Sequence, residues 1–264
     1  MHRPGFQRLI HPTAVVDPRA RLAPGVEVGP FAVIGPDVEI GEGTRVGPHT
    51  VIHGPTRIGR DNRIFQFASV GEDPQDKKYG GERTHLEIGD RNQIREFVTL
   101  HRGTAQDRGV TRIGNDNLLM AYVHVAHDCR LGDHVIMSNA ASLGGHVEIQ
   151  DWAILGGFTI VHQFCRIGAH GFCAMGSVLG KDVPPFVTVG GHPAEPHGIN
   201  TEGLRRRGFA EASIQAIRRA YRTLYLSNLK LGEAVAGLRQ MAETVPEIAI
   251  LADFIADSQR SIVR

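Results

Sequence analysis

The chain has 264 residues, 41% of them hydrophobic, enough to bury the core of one large or two modest domains. With 29 Lys and Arg against 28 Asp and Glu, the formal charge of +1 argues against wholesale nucleic-acid binding and leaves room for a local basic patch. The opening stretch MHRPGFQRLIHP has no signal-peptide core, and no run of about 18 apolar residues occurs, which points away from secretion and membrane insertion.

From Ile10 every sixth residue is aliphatic: Ile10, Val16, Leu22, Val28, Ile34, Ile40, Val46, Ile52, Ile58, Ile64 and Val70. The series resumes at Ile88, Ile94 and Leu100, slips by one residue, and runs again from Ile113 through Val125, Leu143 and Val161 to Leu179. A period of six fits neither a helix nor an ordinary strand pair. It fits an all-β solenoid, a parallel β-helix in which three hexads close one triangular coil of 18 residues. The aliphatic residue points inward, and coils stack about 4.8 Å apart. The next position is often glycine (Gly29, Gly35, Gly41, Gly47, Gly59, Gly71), expected to supply φ > 0 at a tight corner.

Two polar, glycine-bearing stretches interrupt the period, EDPQDKKYGGERT (72–84) and RGTAQDRGVT (102–111); both read as loops leaving the prism. The period stops at KDVPP (181–185), and helical spacing begins near Thr201. Helices are expected within 211–229, 231–245 and 245–258, punctuated by Gly208 and Pro246. The organisation is a β-helix over 1–190 and a helical domain over 191–264. Cys129, Cys165 and Cys173 form no CxxC pair and read as reduced, buried thiols of a cytoplasmic protein.

The densest chemistry is HVAHDC (124–129), which suits either a metal site or a general base with its supporting groups. The 18-residue coil stacks His127 over Gly145 and Gly145 over Gln163, with Asp128 over His146. His124 and His162 fall beside them. A glycine next to a candidate base lets a backbone N–H approach a reacting carbonyl oxygen.

FASVGEDPQDKKYGGE (67–82), IGDRNQIREFVTLHRGT (88–104), NLLMAYVHVAHDCRLG (117–132), VHQFCRIGAH (161–170), KDVPP (181–185) and NTEGLRRRGF (200–209) carry a resemblance that covers nearly the whole chain. Through these segments the chain resembles the UDP-N-acetylglucosamine O-acyltransferase family, which opens lipid A biosynthesis. The resemblance implies a left-handed β-helix and a homotrimer with active sites between subunits. It implies transfer of an (R)-3-hydroxyacyl group from acyl carrier protein to the glucosamine 3-hydroxyl of UDP-N-acetylglucosamine, with no metal, cofactor or covalent intermediate. His127 matches the general base, Asp128 the group that orients it, and Gly145 the oxyanion donor. Asp76, Lys78, His101, His124, His146, His162 and Gln163 match substrate contacts, and Gln75 is expected to assist beside Asp76. Asn200, Glu202, Arg206 and Arg207 match a segment that holds uridine and phosphates. Met175 stands where long-chain members carry glycine, which predicts a shorter acyl group of about ten carbons. In GGHPAEPHG (190–198) His192 precedes a proline where the family places an Asn-His pair, so no role is carried to it.

Bland readings accompany these. Asp76 with Lys78 is also an exposed loop ion pair, and Met175 is also a core residue. His124 and His146 also suit interface packing. Arg205 to Arg207 with Arg218, Arg219 and Arg222 are either solvated helix faces or a basic surface for the acidic carrier protein. The rival functions are a trimeric β-helix zinc hydratase, a catalytically inert sugar-binding trimer, and the N-acyltransferase of the same pathway. The last carries an extra amino-terminal domain, for which hexads starting at Ile10 leave no room.

Overall fold

The computed structural model describes residues 9–264. Its strands are mostly two residues long and stack into three parallel sheets that wall a triangular prism. In chain order, sheet I begins with Val15–Val16 and has nine strands, and sheet II begins with Arg21–Leu22 and has eight. Sheet III begins with Glu27–Val28 and has ten. In each short strand the first residue faces out and the second faces in. The inward columns are the expected ones: Val125 pairs with Leu143, Leu143 with Val161 and Val161 with Leu179, all essentially without solvent contact. The long stretches do not break this register. Val70 pairs with Leu100 and Ile58 with Ile88 across the first loop, and Leu100 with Val125 across the second. Coil stacking therefore selects the aliphatic residue and expels whatever length intervenes.

The corners differ from expectation. Among the glycines that directly follow an inward residue, only Gly71 has positive φ. The left-handed residue comes two positions later and is usually not glycine: Phe31, Asp37, His49, Asp61, Phe67, and on through Asp128, His146 and Phe164. The glycines serve close approach instead. A Cβ on Gly41 would lie 2.6 Å from the Gly59 carbonyl carbon, and one on Gly29 or Gly47 would lie 2.8 Å from the next coil's backbone nitrogen. Asp, Asn and His tolerate left-handed φ better than other side-chain residues, and here the coil's own hydrogen bonds impose it on aromatics too.

Several polar residues inside the prism hold the backbone of the next coil. The Asn62 carboxamide oxygen accepts from the Asn92 backbone N–H at 2.9 Å, and Asn92 repeats this for the Asn117 N–H, also at 2.9 Å. All three cysteines are buried free thiols, as read from the sequence.

After Val178–Leu179 the antiparallel hairpin Val187–Gly191 and Ala194–Ile199 extends sheet III, with His192 exposed in its turn. Four helices follow: α1 (Thr201–Arg206), α2 (Glu211–Tyr225), α3 (Leu231–Ala242) and α4 (Glu247–Ala256). They enclose a second core that includes Phe186, Leu204, Ile217, Leu238 and Phe254. The tail then returns to the prism, where Ile262 bridges to Asp182 and Val263 is buried in the first core.

Close approach at the corners predicts that Gly41→Ala destabilises the fold by about 1–3 kcal/mol, because backbone must move. Gly180→Ala, which meets nothing within 4 Å, should be neutral. Thermal midpoints of the two variants side by side check this; equal midpoints would refute it.

Candidate active site

The edge between sheets I and II collects most of the chemistry. Both long loops leave the prism there, between Ser69–Glu72 and His85–Ile88 and between Thr99–His101 and Val110–Ile113. His127 and Asp128 turn the same edge one coil further, Gly145 and His146 the next, and His162 and Gln163 the next.

His127 Nδ1 lies 2.9 Å from Asp128 Oδ2. An ionised carboxylate only accepts, so Nδ1–H donates and Nε2 carries the free lone pair. The Asp128 side chain is 1% exposed. Burial by itself would raise its pKa, but hydrogen bonds from His127 and Thr104 and the nearby His146 outweigh that and hold it below its ordinary value. Thr104 supplies its backbone N–H at 2.9 Å and its hydroxyl at 2.7 Å to the carboxylate. The Asp128 N–H donates to Thr111 Oγ1 at 2.8 Å.

Gly145 lies directly against the imidazole: a Cβ there would sit 2.5 Å from His127 Cε1 and 2.7 Å from Nε2. Among the described residues its N–H has no hydrogen-bond partner. A free donor thus lies beside a free base. His146 stacks on Phe164 at 4.4 Å and meets His127 edge-on at 5.1 Å. Its Nδ1 is 3.0 Å from Asp107 Oδ2, and its Nε2 is 3.9 Å from Asp128 Oδ2.

His124 faces outward on sheet I, with Nδ1 2.7 Å from Thr99 Oγ1 and its ring 5.3 Å from that of His101. Burial, with His101 and His127 nearby, pushes its pKa down to about 4 from an ordinary 6.5. It is a neutral donor–acceptor at neutral pH. His101 is buried and 2.6 Å from the Asp73 carbonyl oxygen. His162 and Gln163 are exposed, with His162 Nδ1 donating to the Gln163 carbonyl at 3.1 Å. Gln75 and Lys78 are exposed, and Asp76 accepts from the Lys78 backbone N–H at 3.0 Å. No Asp76–Lys78 ion pair forms among the described residues.

Other expected residues stand elsewhere. Arg207 lies on the edge between sheets II and III, 3.1 Å from His170 Nδ1 and over the Trp152 ring at 5.2 Å. Burial lowers its pKa. The Asn200 amide donates to the His170 carbonyl at 3.0 Å and its oxygen caps α1. Glu202 and Arg206 pair with each other at 2.9 Å on the exposed face of α1. Met175 sits on the third edge, between sheets III and I, and is 76% exposed, so it is not a core residue.

Sequence reasoning missed the groups that hold this edge together. Arg102, 8% exposed, pairs with Asp73 and donates to the Gly54 and Gly71 carbonyl oxygens at 3.1 and 2.6 Å, tying the first loop to the second. Thr104 and Asp107 were also unassigned. Their only signal is membership of a loop thrown out beside HVAHDC.

His127, Asp128 and His146 bring three ligand atoms within 4.8 Å of one another, the one cluster of metal-ligating type among the described residues. The Asp128 carboxylate already accepts three hydrogen bonds from Thr104 and one from His127. Its lone pairs are committed to orienting the base. The buried cysteines are poor nucleophiles, with burial pushing Cys129 and Cys173 up to about 12.

Comparison with known proteins extends over nearly the whole chain. The family described as "Udp N-acetylglucosamine O-acyltransferase; Domain 2" matches residues 182–263, and bacterial transferase hexapeptide repeats match 19–54 and 111–145. An acyl-[acyl-carrier-protein]–UDP-N-acetylglucosamine O-acyltransferase from Halorhodospira halophila is 62% identical over 255 residues, covering 97% of this chain and 99% of that protein. The protein of the same name from Janthinobacterium is 58% identical over 260 residues, with the same coverage. The solved structure of LpxA from Acinetobacter baumannii aligns with a TM-score of 0.95 at 48% identity, covering 97% of this chain and 100% of that one.

The low His124 pKa has a sign. The unfolded chain takes up this proton at higher pH than the folded one, so His124 costs stability as pH falls from 6.5 toward 4 and nothing above that window. Histidine ring signals followed by NMR should place the His124 midpoint near 4. A midpoint at or above 6.5 would contradict the burial described.

Proposed function

This chain belongs to the UDP-N-acetylglucosamine O-acyltransferase family and is an acyltransferase; on that premise we propose a direct, single-displacement transfer carried by His127. Its fold is the family's left-handed parallel β-helix with a helical carboxyl-terminal region. The donor is an (R)-3-hydroxyacyl carrier protein and the acceptor is the 3-hydroxyl of the glucosamine of UDP-N-acetylglucosamine, the first step of lipid A biosynthesis.

The observation that carries the mechanism is the His127–Asp128 pair lying over the free Gly145 N–H. His127 Nε2 takes the sugar hydroxyl proton as the oxygen attacks the thioester carbon. The C–O bond forms, and the Gly145 N–H stabilises the tetrahedral oxyanion. The C–S bond then breaks, and the imidazolium returns the proton to the departing thiolate. Asp128 stays ionised and stabilises the imidazolium. Neutral His124 is placed to hydrogen-bond substrate without adding charge, and His146, held by Asp107, stands beside the base. Gln75, Asp76 and Lys78 hold the sugar nucleotide, with His101, His162 and Gln163 along the same edge. Asn200 and Glu202 shape α1, and Arg206 and Arg207 face the diphosphate. The zinc-hydratase reading yields to the family, and the metal-type cluster is the base with its orienting groups.

Two groups of these residues lie on different edges of one prism, His127 on I/II and Arg207 on II/III. A homotrimer joins them. Sheet II is faced by a ladder of charged residues, Arg21, Glu39, Arg57, Glu87, Arg112, Arg130, Glu148 and Arg166, a surface suited to water. The III/I edge instead exposes Phe31, Phe67, Phe97, Tyr122, Phe158 and Met175, which calls for a partner. With that edge on the three-fold axis, sheet I of one copy faces sheet III of the next. The I/II edge of one then meets the II/III edge of its neighbour at the outer rim. Met175 closes the inner end of the interface and limits the acyl chain. No helix among the described residues is long and apolar enough to cross a membrane, and we place the enzyme in the cytoplasm with its carrier protein.

Turnover of UDP-N-acetylglucosamine with carriers of ten, twelve and fourteen carbons should fall at least about a hundredfold in His127→Ala. The ten-carbon donor should be fastest, and Met175→Gly should shift preference toward fourteen carbons by about tenfold. A wild type that prefers fourteen carbons would overturn the Met175 assignment. Turnover surviving in His127→Ala would overturn the mechanism. Mixing His127→Ala chains with Arg207→Ala chains in one trimer should restore about a quarter of wild-type activity, since a shared site needs one intact residue from each neighbour. No recovery would place both residues in one chain's site.

A further inference from the structure

The second loop does more than leave the prism; its residue Thr104 is 1% exposed and spends every polar group on the site or on the loop itself. Its N–H lies 2.9 and 3.1 Å from the two Asp128 carboxylate oxygens, and its hydroxyl lies 2.7 Å from Oδ2. Its carbonyl accepts from the Gly109 N–H at 3.0 Å and the Asp107 N–H at 3.3 Å, closing the loop's own turn. The coil's register does not run through these contacts, because Leu100 pairs directly with Val125.

We infer that Thr104 is a positioning residue for the base: its hydroxyl fixes the Asp128 carboxylate toward His127 and sets how strongly that carboxylate stabilises the imidazolium. The inference rests on the reading of His127 as the general base. The chemistry is a shared acceptor. Oδ2 takes both the Thr104 hydroxyl at 2.7 Å and His127 Nδ1 at 2.9 Å. A carboxylate donates nothing, so both hydrogens come from its partners. Each donor draws on the same negative charge. With the hydroxyl present, Asp128 is held in place and the charge on Oδ2 is shared between two donors. Without it, Oδ2 turns its charge on the imidazolium and the carboxylate gains freedom to rotate.

The loop is anchored independently of that hydroxyl. Arg102 pairs with Asp73, the Gly103 N–H donates to the His85 carbonyl at 3.1 Å, and the Thr104 N–H remains on Asp128. Thr104→Val, equal in shape, therefore removes one hydrogen bond and keeps the backbone that carries it. The other ionisable groups facing this pair are His146, His124 and His101, with Asp107 behind His146. Asp107 meets Thr104 only through its backbone N–H on the Thr104 carbonyl, and no hydrogen bond joins the other three to Thr104.

The test is steady-state turnover across the histidine range of pH for wild type, Thr104→Val, Thr104→Ser and His127→Ala. In Thr104→Val the kcat plateau should fall about tenfold with KM for the sugar nucleotide nearly unchanged, and the acidic limb should move to higher pH by about half a unit. Thr104→Ser, which keeps the hydroxyl, should restore both. A wild-type limb in Thr104→Val, or a serine variant as impaired as the valine, would overturn the inference while His127→Ala remains inactive. Activity retained in His127→Ala would instead remove the base assignment on which it stands.

Discussion

Everything in this protein depends on one constraint, the stacking of an inward aliphatic residue on its counterpart one coil away. Val125, Leu143, Val161 and Leu179 are one such column, each essentially without solvent contact. Burying an aliphatic side chain is worth about 1.5–3 kcal/mol, and a slip of one residue would expose the whole column. The register is therefore stiff, and whatever lies between columns must adapt. The two long loops are the clearest case: Val70 still meets Leu100, and Leu100 still meets Val125.

The same stiffness places the chemistry. A corner residue cannot choose its position once its hexad's aliphatic residue is seated. Asp128 and His146 occupy left-handed corner positions with φ near 60° and 62°, as do Phe31 and Phe67 on another edge. The prism thus holds side chains in a backbone conformation that few residues adopt alone, and repeated hydrogen bonds offset the strain. A site built on such corners is rigid before substrate arrives, which is what a general base and an oxyanion donor require. The glycines have the complementary task of allowing coils to touch. At Gly145 that absence of a Cβ admits the His127 ring.

Electrostatics then divides the edge. Asp128 is buried but ionised because Thr104 and His127 supply hydrogen bonds, whereas His124 is neutral because burial dominates and no carboxylate reaches it. Charge and neutrality, a few ångströms apart, follow from which side chain finds a donor. The three outer faces show the same sorting at larger scale. Arginine and glutamate side chains cover sheet II, and aromatic rings line the opposite edge, so the prism carries both a charged side and an apolar one.

The sequence by itself determined the solenoid, the inward columns and the stacking of His127 on Gly145, because period six and an 18-residue coil are arithmetic properties of a linear chain. Its segments also carried the family resemblance, through HVAHDC, VHQFC and NTEGLRRRGF. Tertiary structure alone decided the rest. It set positive φ mostly at Asp128 and its equivalents, two residues beyond the glycines, and gave most of those glycines the task of close approach, where a Cβ would strike the next coil. Loop conformation brought Thr104 onto Asp128 and Asp107 onto His146, across 24 and 39 residues, and no period records a loop. Folding also distributed His127, Arg207 and Met175 over three separate edges. Which edge a residue turns depends on the sheets before and after it, and that is a property of the closed coil rather than of the residue.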